Sequence, residues 1–479
     1  MSFCRGAIVA LLNSIRLSIK TFKVNDRLSS PRAVSYRPRM ALVFLFAFVA
    51  SLPGSSLMGQ EAAAEISVSV SGSMVDSHPY GIISAEGSQF GYCTIAGDVT
   101  PFGESVESYA NYRVAELDLH SLEVIRTFEV GYYPTELLLH DQFLYVTCSN
   151  DPFLYQIDLQ TGAIDSFAMT DSSGFEISFL SGLNVDANGN VVVASNGGSF
   201  DGSNENVVVF DPVTESIVNR IDVAGAITRF LIHDGLLVIP VGYPENDFSA
   251  SPVVRWIDPD LGTVVSEVSI AVDTADFPGP SDISDLGDGT AVLTVFGGSA
   301  EVFVLDLDSR VLTSTWPVGG TDFSQSAALP LLNGNVLISD LLGGWIKELN
   351  PLTGDLQPFG DNVSQPVDMV LKDGRIFVTE QGLEQVSVFL APGSFIRGDS
   401  NGDRIIDVGD PIALLGYLFL SGSLDCLDSG DFNDDGLLDL SDAVGVLGFL
   451  FSGGADPSYP YPVGGADLQE DSLDCENGA

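Results

Sequence analysis

A strand-like segment that ends in an acid or an amide recurs through most of this 479-residue chain. The terminal residues of these segments are Asp118, Asp158, Asp211, Asp258, Asp306 and Asn350. Turn dipeptides such as Asn188–Gly189 and Asp288–Gly289 separate the strands, because these residues accept the positive φ of tight hairpins. Spacings of 40, 53, 47, 48 and 44 residues, with several strands per unit, predict the blades of an all-β propeller. We interpret the repeated acids as turn formers at strand ends.

The number of blades depends on how the ring closes. Residues 385–390 repeat the anchoring strand one further period after Asn350, and no hairpin follows them. Three strand-like segments, at 66–71, 81–85 and 90–95, precede the first complete repeat. We predict that these three join strand 385–390 in a composite blade, because closure removes exposed sheet edges. The count is then seven, with six or eight as alternatives because the longest spacing between anchors has room for another element.

Two segments of this array resemble known propeller repeats. Residues 130–147, VGYYPTELLLHDQFLYVT, are similar to the YVTN-type repeat. Residues 335–350, NVLISDLLGGWIKELN, resemble the blades of NHL and gluconolactonase-like propellers. The resemblance implies a propeller over residues 60–393 and does not identify a substrate.

The C-terminal part of the chain contains the same acidic dodecad twice, at 399–410 and again at 431–442. Oxygen side chains at positions 1, 3, 5, 9 and 12, with a backbone carbonyl at position 7, have the spacing of an EF-hand-type Ca²⁺ loop. Four Asp occupy ligand positions in each loop, and like charges about 4 Å apart cost ~4 kcal/mol per pair near a protein surface. We therefore expect two bound Ca²⁺. The predicted ligands are Asp399, Asn401, Asp403, Ile405, Asp407 and Asp410 in the first loop, and Asp431, Asn433, Asp435, Leu437, Asp439 and Asp442 in the second.

An apolar, helix-like segment follows each loop, at 415–419 and 447–451, and no helix pattern precedes either loop. This duplicated half EF-hand resembles a type I dockerin over about residues 394–454. The resemblance implies a small α-helical calcium-binding domain within 394–479 that docks on a cohesin-like or other extracellular protein. Arg404 occupies position 6 of the first loop, where the second has Gly436, and the Ser-Thr pair of cellulosomal dockerins at positions 10 and 11 is absent. The resemblance therefore does not identify the docking partner.

The N-terminal segment has the composition of an export signal. Eight of the 19 Lys and Arg residues precede Met40. The apolar run at 41–50 is too short to cross a bilayer and fits the apolar region of a signal peptide. We predict that residues 1–59 are a basic leader plus signal peptide, with Met40 as an alternative start. The mature protein is expected to be secreted, periplasmic or bound to the cell surface, with no membrane span.

Charge and cysteine content restrict the partners and the compartment. Removing residues 1–59 leaves 11 basic against 64 acidic residues and a net charge near −53, which repels nucleic acid. Four cysteines then remain, an even number suited to an oxidising compartment. A bridge between Cys426 and Cys475 would attach the tail to the calcium loops. Cys93 and Cys148 either pair with each other or stay as buried thiols.

Few groups that could catalyse a reaction occupy the strand ends predicted to face the axial channel. The seven equivalent positions are Ile95, Cys148, Ser195, Pro240, Val295, Asp340 and Glu380. Asp340 and Glu380, with Asn196 or Asn150, could hold a metal, and the alternative is that both acids are structural. The four histidines, at 78, 120, 140 and 233, are interpreted as surface loop residues.

Two functions from different classes follow from these patterns. The favoured one is an exported calcium-binding interaction protein, whose propeller binds a protein, a glycan or a small ligand and whose dockerin-like module acts as a docking tether. The alternative is a propeller enzyme, a lactonase, a lyase or a hydrolase of glycosides or polysaccharides, carried by the same module. Three or more acids or amides that converge in the channel would favour the enzyme.

Overall fold

The computed structural model describes part of the chain, and all described residues belong to one compact unit within Met40–Ala479. The described residues are 64–67, 78–85, 87–96, 112–196, 205–247, 249–272, 278–297, 301–319, 327–360, 363–403, 405–424, 426–461, 464, 465, 467, 473 and 475. The predicted leader, signal peptide and Met40 start lie outside these ranges, as does Arg404.

The described strands form seven antiparallel sheets, which confirms the predicted seven-bladed propeller. Strand β1 is Ala64–Ser67. Blade 1 contains β2 (Pro79–Ser84), β3 (Phe90–Ile95), β4 (Arg113–Asp118) and β5 (Glu123–Glu129). Blade 2 contains β6 (Pro134–His140), β7 (Phe143–Cys148), β8 (Phe153–Asp158) and β9 (Ile164–Ala168). Blade 3 contains β10 (Leu180–Val185), β11 (Val191–Asn196), β12 (Glu205–Asp211) and β13 (Ser216–Asp222).

The remaining blades continue in chain order. Blade 4 contains β14 (Ala226–Ile227), β15 (Leu231–His233), β16 (Leu236–Gly242), β17 (Val253–Asp258) and β18 (Thr263–Ser269). Blade 5 contains β19 (Gly279–Asp285), β20 (Thr290–Phe296), β21 (Glu301–Asp306) and β22 (Val311–Pro317). Blade 6 contains β23 (Ala328–Pro330), β24 (Val336–Asp340), β25 (Trp345–Leu349) and β26 (Leu356–Phe359). Blade 7 contains β27 (Pro366–Lys372), β28 (Arg375–Glu380) and β29 (Gln385–Leu390).

The ring closes in blade 7, and the predicted composition of the composite blade was wrong. Strand β1 pairs with β29, with Ala64 opposite Val388 and Ser67 opposite Gln385. Three C-terminal strands and one N-terminal strand therefore form this blade, instead of one and three. The physical reason is that β2 and β3 are already paired in sequence with β4 and β5 in blade 1, while β27 and β28 form a hairpin of their own.

The core lies between the faces of neighbouring blades. Trp256 of blade 4, for example, packs in one cluster with Leu293 and Phe303 of blade 5. Full burial of each such side chain contributes about 1.5–3 kcal/mol. The acids at strand ends act as predicted, since Asp158 Oδ1 accepts the N–H groups of Gln160 at 2.8 Å and Thr161 at 3.0 Å. The hydrogen bond from Thr161 lowers the pKa of Asp158, so this carboxylate is engaged in its turn.

The segment after the propeller contains two helices. Helix α1 spans Gly409–Leu420 and α2 spans Leu440–Ser452, each directly after an acidic loop, and the two pack against each other. Short 3₁₀ turns occur at Pro244–Asn246 and Asp428–Gly430. Cys426 and Cys475 form the expected disulfide, whereas Cys93 and Cys148 are buried free thiols. Within the described ranges, neither helix has the length and apolar character that a bilayer crossing requires.

Candidate functional site

The two acidic loops share three backbone hydrogen bonds to their carboxylates. In the first, the N–H groups of Asp403, Ile405 and Asp407 donate to the carboxylates at positions 1, 5 and 12, at 3.2, 3.0 and 2.7 Å. In the second, the N–H groups of Asp435, Leu437 and Asp439 donate to the equivalent carboxylates at 3.2, 3.1 and 2.9 Å. Each loop backbone thus wraps around the side chains that the sequence predicts as calcium ligands.

Backbone conformation supports this turn in both copies. Position 4 is left-handed in each loop, at Gly402 with φ 72° and at Asp434 with φ 59°. Position 6 of the second loop is Gly436, also left-handed with φ 75°. Glycine adopts this region without a steric penalty, and Asp is among the few residues that tolerate it. The sequence spacing therefore has a structural counterpart in both loops.

The first and last carboxylates of each loop are buried. Asp399, Asp410, Asp431 and Asp442 are almost inaccessible. Burial raises the pKa values of Asp410 and Asp431, and raises that of Asp442 to about 6. Oδ2 of Asp442 accepts the N–H of Asp439, whereas its buried Oδ1 has no hydrogen-bond partner. An unpartnered buried oxygen costs about 1–3 kcal/mol, so this donor set fits a hard cation such as Ca²⁺.

Apolar side chains on the outside of the loops and helices also occur in duplicate. Each member of the set has a counterpart at the equivalent place in the other repeat, and all are between 50% and 71% exposed. The pairs are Ile405 and Leu437, Val408 and Leu440, Ile412 and Val444, and Phe419 and Phe451. Exposed apolar groups in such number mark interaction surfaces on soluble proteins. We call these eight residues the duplicated apolar surface.

A second candidate site lies on the innermost strands of the blades. The equivalent residue in blades 1 to 7 is Gly81, Glu136, Gly182, Arg229, Asp282, Ala327 and Asp368. The register supports this equivalence, since the N–H groups of Gly81, Asp282 and Asp368 each donate to a Thr hydroxyl on the next strand, at 2.7, 3.1 and 3.0 Å. Blades 2, 4, 5 and 7 therefore carry charged residues at this level, and blades 1, 3 and 6 carry only Gly or Ala.

The three acids among them converge on the guanidinium of Arg229. Its Nε lies 3.0 Å from both carboxylate oxygens of Glu136. Its terminal nitrogens lie 3.2 and 2.8 Å from the oxygens of Asp368, and one is 3.4 Å from Asp282 Oδ1. We call Glu136, Arg229, Asp282 and Asp368 the channel cluster. The small residues of the other three blades leave room for these side chains.

Three carboxylates around one guanidinium leave an excess of negative charge. Burial raises the pKa of Asp282, and it raises the pKa of Glu136 to about 7 although Arg229 opposes the shift. Burial opposes the charge of Arg229, but the surrounding carboxylates keep its pKa well above the ordinary value. The side chains of Glu136 and Arg229 are 18% and 26% exposed, so they are the accessible members of the cluster. Glu136 can therefore take up or release a proton near neutral pH.

The strand-end acids expected in the channel accept hydrogen bonds from their own turn or from neighbouring segments of the same blade. Asp340 Oδ1 accepts the N–H of Gly343 at 2.9 Å. Glu380 accepts the N–H of Ser364 and the hydroxyl of Ser387. The acids of the channel cluster lie on the first strand of their blades, whereas the predicted acids Asp340 and Glu380 lie on the second. The sequence patterns did not predict this position. A signal was present in the sequence, because each of the cluster's three acids stands two positions after a proline in the first two residues of a strand, at Pro134, Pro280 and Pro366.

A smaller polar group lies between the outer turns of two blades. His233 Nε2 is 2.8 Å from Asp308 Oδ1, and ligand atoms of His233, Asp234 and Asp308 all lie within 4.8 Å of one another. His233 precedes the Asp234–Gly235 hairpin turn, the kind of position expected for the histidines. The group connects blade 4 with blade 5 at the surface.

Comparison with solved structures supports the propeller fold. A virginiamycin B lyase from Staphylococcus aureus is similar with a TM-score of 0.53 and 12% identity, over 68% of this chain and 98% of that one. The hydrazine synthase of Kuenenia stuttgartiensis is similar with a TM-score of 0.52 and 13% identity, over 67% of this chain and 99% of that one. At these identities the likeness concerns the fold alone. No family model matches the chain, and no curated protein matches its sequence.

Proposed function

We propose that this chain is an exported, calcium-binding interaction protein. Residues 394–454 bind two Ca²⁺ and dock on a cohesin-like or other extracellular protein, and the propeller is a scaffold that binds a protein, a glycan or a small ligand. The observation that carries the proposal is the matching geometry of the two loops, each ending in a fully buried carboxylate. Bound Ca²⁺ would neutralise the crowded carboxylates.

Each loop offers its ion the same set of oxygen atoms. Side chains of Asp399, Asn401, Asp403, Asp407 and Asp410 and the carbonyl of Ile405 would hold the first ion. Side chains of Asp431, Asn433, Asp435, Asp439 and Asp442 and the carbonyl of Leu437 would hold the second. Folding of both loops depends on this neutralisation, because metal-binding free energy contributes to folding free energy where the ligands repel one another.

The duplicated apolar surface supports docking as the role of the module. It includes position 10 of both loops, Val408 and Leu440, and reaches along both helices to Phe419 and Phe451. Calcium would fix the loops that present half of this surface. Docking is therefore expected to require the ion.

Isothermal titration of the full secreted chain with CaCl₂ tests the calcium sites. We expect two ions per chain for the wild type and one for each of Asp410→Asn and Asp442→Asn. Asp288→Asn, in a propeller turn, is the matched control and should still bind two. Retention on an immobilised type I cohesin, with and without EGTA, tests docking. Absence of calcium uptake by the wild type would refute the proposal.

The channel cluster favours a second candidate, a propeller enzyme delivered by the same module. It supplies three converging carboxylates, the criterion that distinguishes the enzyme from the binder. The similar propeller of virginiamycin B lyase is, by its name, a lyase. Lactones, glycosides and uronate-containing polysaccharides are the substrate classes to assay. Turnover that is lost in Glu136→Gln and kept in Asp288→Asn would support this candidate, and turnover retained in Glu136→Gln would remove the cluster from it.

A further inference from the structure

Arg397 is a fully buried arginine between the propeller and the first calcium loop. Its Nε donates to the carbonyl of Tyr459 at 2.7 Å, and one terminal nitrogen donates to the carbonyl of Asp431 at 2.8 Å. The other terminal nitrogen lies 2.8 Å from Asp434 Oδ1 and 3.0 Å from Asp467 Oδ1. One side chain thus contacts the second calcium loop and the C-terminal tail together.

The position of Arg397 departs from the internal repeat. It stands two positions before Asp399, the first residue of loop one, and the equivalent residue of loop two is Ser429. Both residues are buried, but only Arg397 reaches the other loop, at positions 1 and 4. If the two repeats were identical at this position, neither would make this contact with the other loop. The arginine therefore adds a connection that the repeat itself lacks.

The tail residues that Arg397 holds also contact the propeller. Gly465 of the tail exchanges two backbone hydrogen bonds of 3.0 Å with Phe395, just after the last propeller strand, and the Tyr459 hydroxyl donates to the propeller carbonyl of Asp373 at 3.1 Å. Asp373 belongs to the hairpin turn between β27 and β28 of blade 7. A Cβ atom on Gly465 would lie 2.7 Å from that carbonyl, so the tail and the hairpin are in close contact.

We propose that Arg397 couples calcium occupancy of the second loop to the attachment of the module on blade 7. The inference rests on the proposed calcium function. Without the ion, the five carboxylates of loop two repel one another and displace Asp431 and Asp434, the two loop residues that Arg397 contacts. With the ion, the loop, the tail and blade 7 form one rigid unit. By linkage, the factor by which calcium strengthens the attachment equals the factor by which the attachment strengthens calcium binding at loop two, so a variant that loses the attachment must also bind that ion more weakly.

The test uses the full chain, calcium titration calorimetry and limited proteolysis of residues 391–398. We expect this segment to be protected in the wild type with CaCl₂ and cleaved at least tenfold faster with EGTA. Arg397→Met should lower calcium affinity at one site at least tenfold and be cleaved rapidly even with calcium, and Arg397→Lys should be intermediate. Ser429→Ala, the equivalent position in the repeat, is the matched control and should behave as wild type.

Tyr459→Phe gives a second variant in case Arg397→Met does not fold. It removes only the hydroxyl that contacts Asp373 and leaves every predicted ligand in place. A fall of a few-fold in calcium affinity at one site supports the coupling. Two ions bound with wild-type affinity in both variants, or equal protection with calcium and EGTA, overturn the coupling alone. No calcium uptake by the wild type overturns the proposed calcium function and this inference with it.

Discussion

The guanidinium of Arg229 in blade 4 lies 3.0 Å from both carboxylate oxygens of Glu136 in blade 2, 93 residues earlier in the chain. Asp282 and Asp368 extend this contact to blades 5 and 7. The ring itself is closed by the pairing of the short strand β1 with β29. The channel cluster therefore adds cross-links between blades that the sheet hydrogen bonds do not provide.

Arg229→Met should strongly destabilise the propeller. The substitution leaves the buried Asp282 and Asp368 and the partly buried Glu136 without their cation, and breaking a buried ion pair in this way costs about 3–5 kcal/mol. Urea denaturation followed by tryptophan fluorescence measures the loss. Arg220→Met is the control, because Arg220 is about as exposed as Arg229 but pairs closely with one carboxylate, that of Asp171, and a single partly exposed pair contributes about 1 kcal/mol. Equal losses in the two variants would contradict the role of the cluster.

Stability should fall as the pH rises from about 5 to 7, and Glu136 should be a cause. Its pKa of about 7 in the folded chain exceeds the ordinary value for Glu, so the folded state binds the proton more tightly than the unfolded state in this window. Glu136→Gln removes this proton-linked contribution. The difference in unfolding free energy, variant minus wild type, should therefore increase from pH 5 to pH 8. A difference that is constant with pH would contradict the raised pKa.

Local sequence patterns predicted most of the fold. Turn dipeptides and terminal acids such as Asp158 act on their near neighbours in the chain, and their hydrogen bonds are the expected ones. The spacing of the two acidic loops is local in the same sense, and their repeated backbone hydrogen bonds from Asp403 and Asp435 accompany it, while calcium binding stays a prediction. These features need no information about distant parts of the molecule.

Features that depend on distant pairing were predicted less well. The partner of β1 is β29, at the opposite end of the propeller sequence, and no local pattern distinguishes that pairing from the one predicted. Arg229 contacts acids from three other blades, and only the three prolines before them share a pattern. The channel cluster follows from the circular order of the blades, which brings the same position of every inner strand to one level.

Gly81→Ala should destabilise the contact between blades 1 and 2. A Cβ atom at this position would lie 2.2 Å from the carbonyl oxygen of Thr135, so the backbones must move apart. Overpacking of this kind costs about 1–3 kcal/mol. Gly448→Ala in α2 is the control, because nothing lies within 4 Å of the added atom and the helix gains about 1 kcal/mol in propensity. Differential scanning calorimetry should show shifts of opposite sign, and a neutral result for Gly81→Ala would contradict the close approach.

Reduction of the Cys426–Cys475 disulfide should destabilise the C-terminal module that contains α1 and α2, and leave the propeller unchanged. The bridge joins residues 49 positions apart and encloses the whole second loop and α2. Its loss increases the conformational entropy of the unfolded chain and so favours unfolding. Loss of a native disulfide costs about 2–5 kcal/mol. Calorimetry should show that reductant lowers the unfolding temperature of the module. The double variant Cys426→Ser/Cys475→Ser should unfold at the same lowered temperature and no longer respond to reductant. Because Cys93 and Cys148 are already free thiols, a reductant response that persists in the double variant would contradict this assignment.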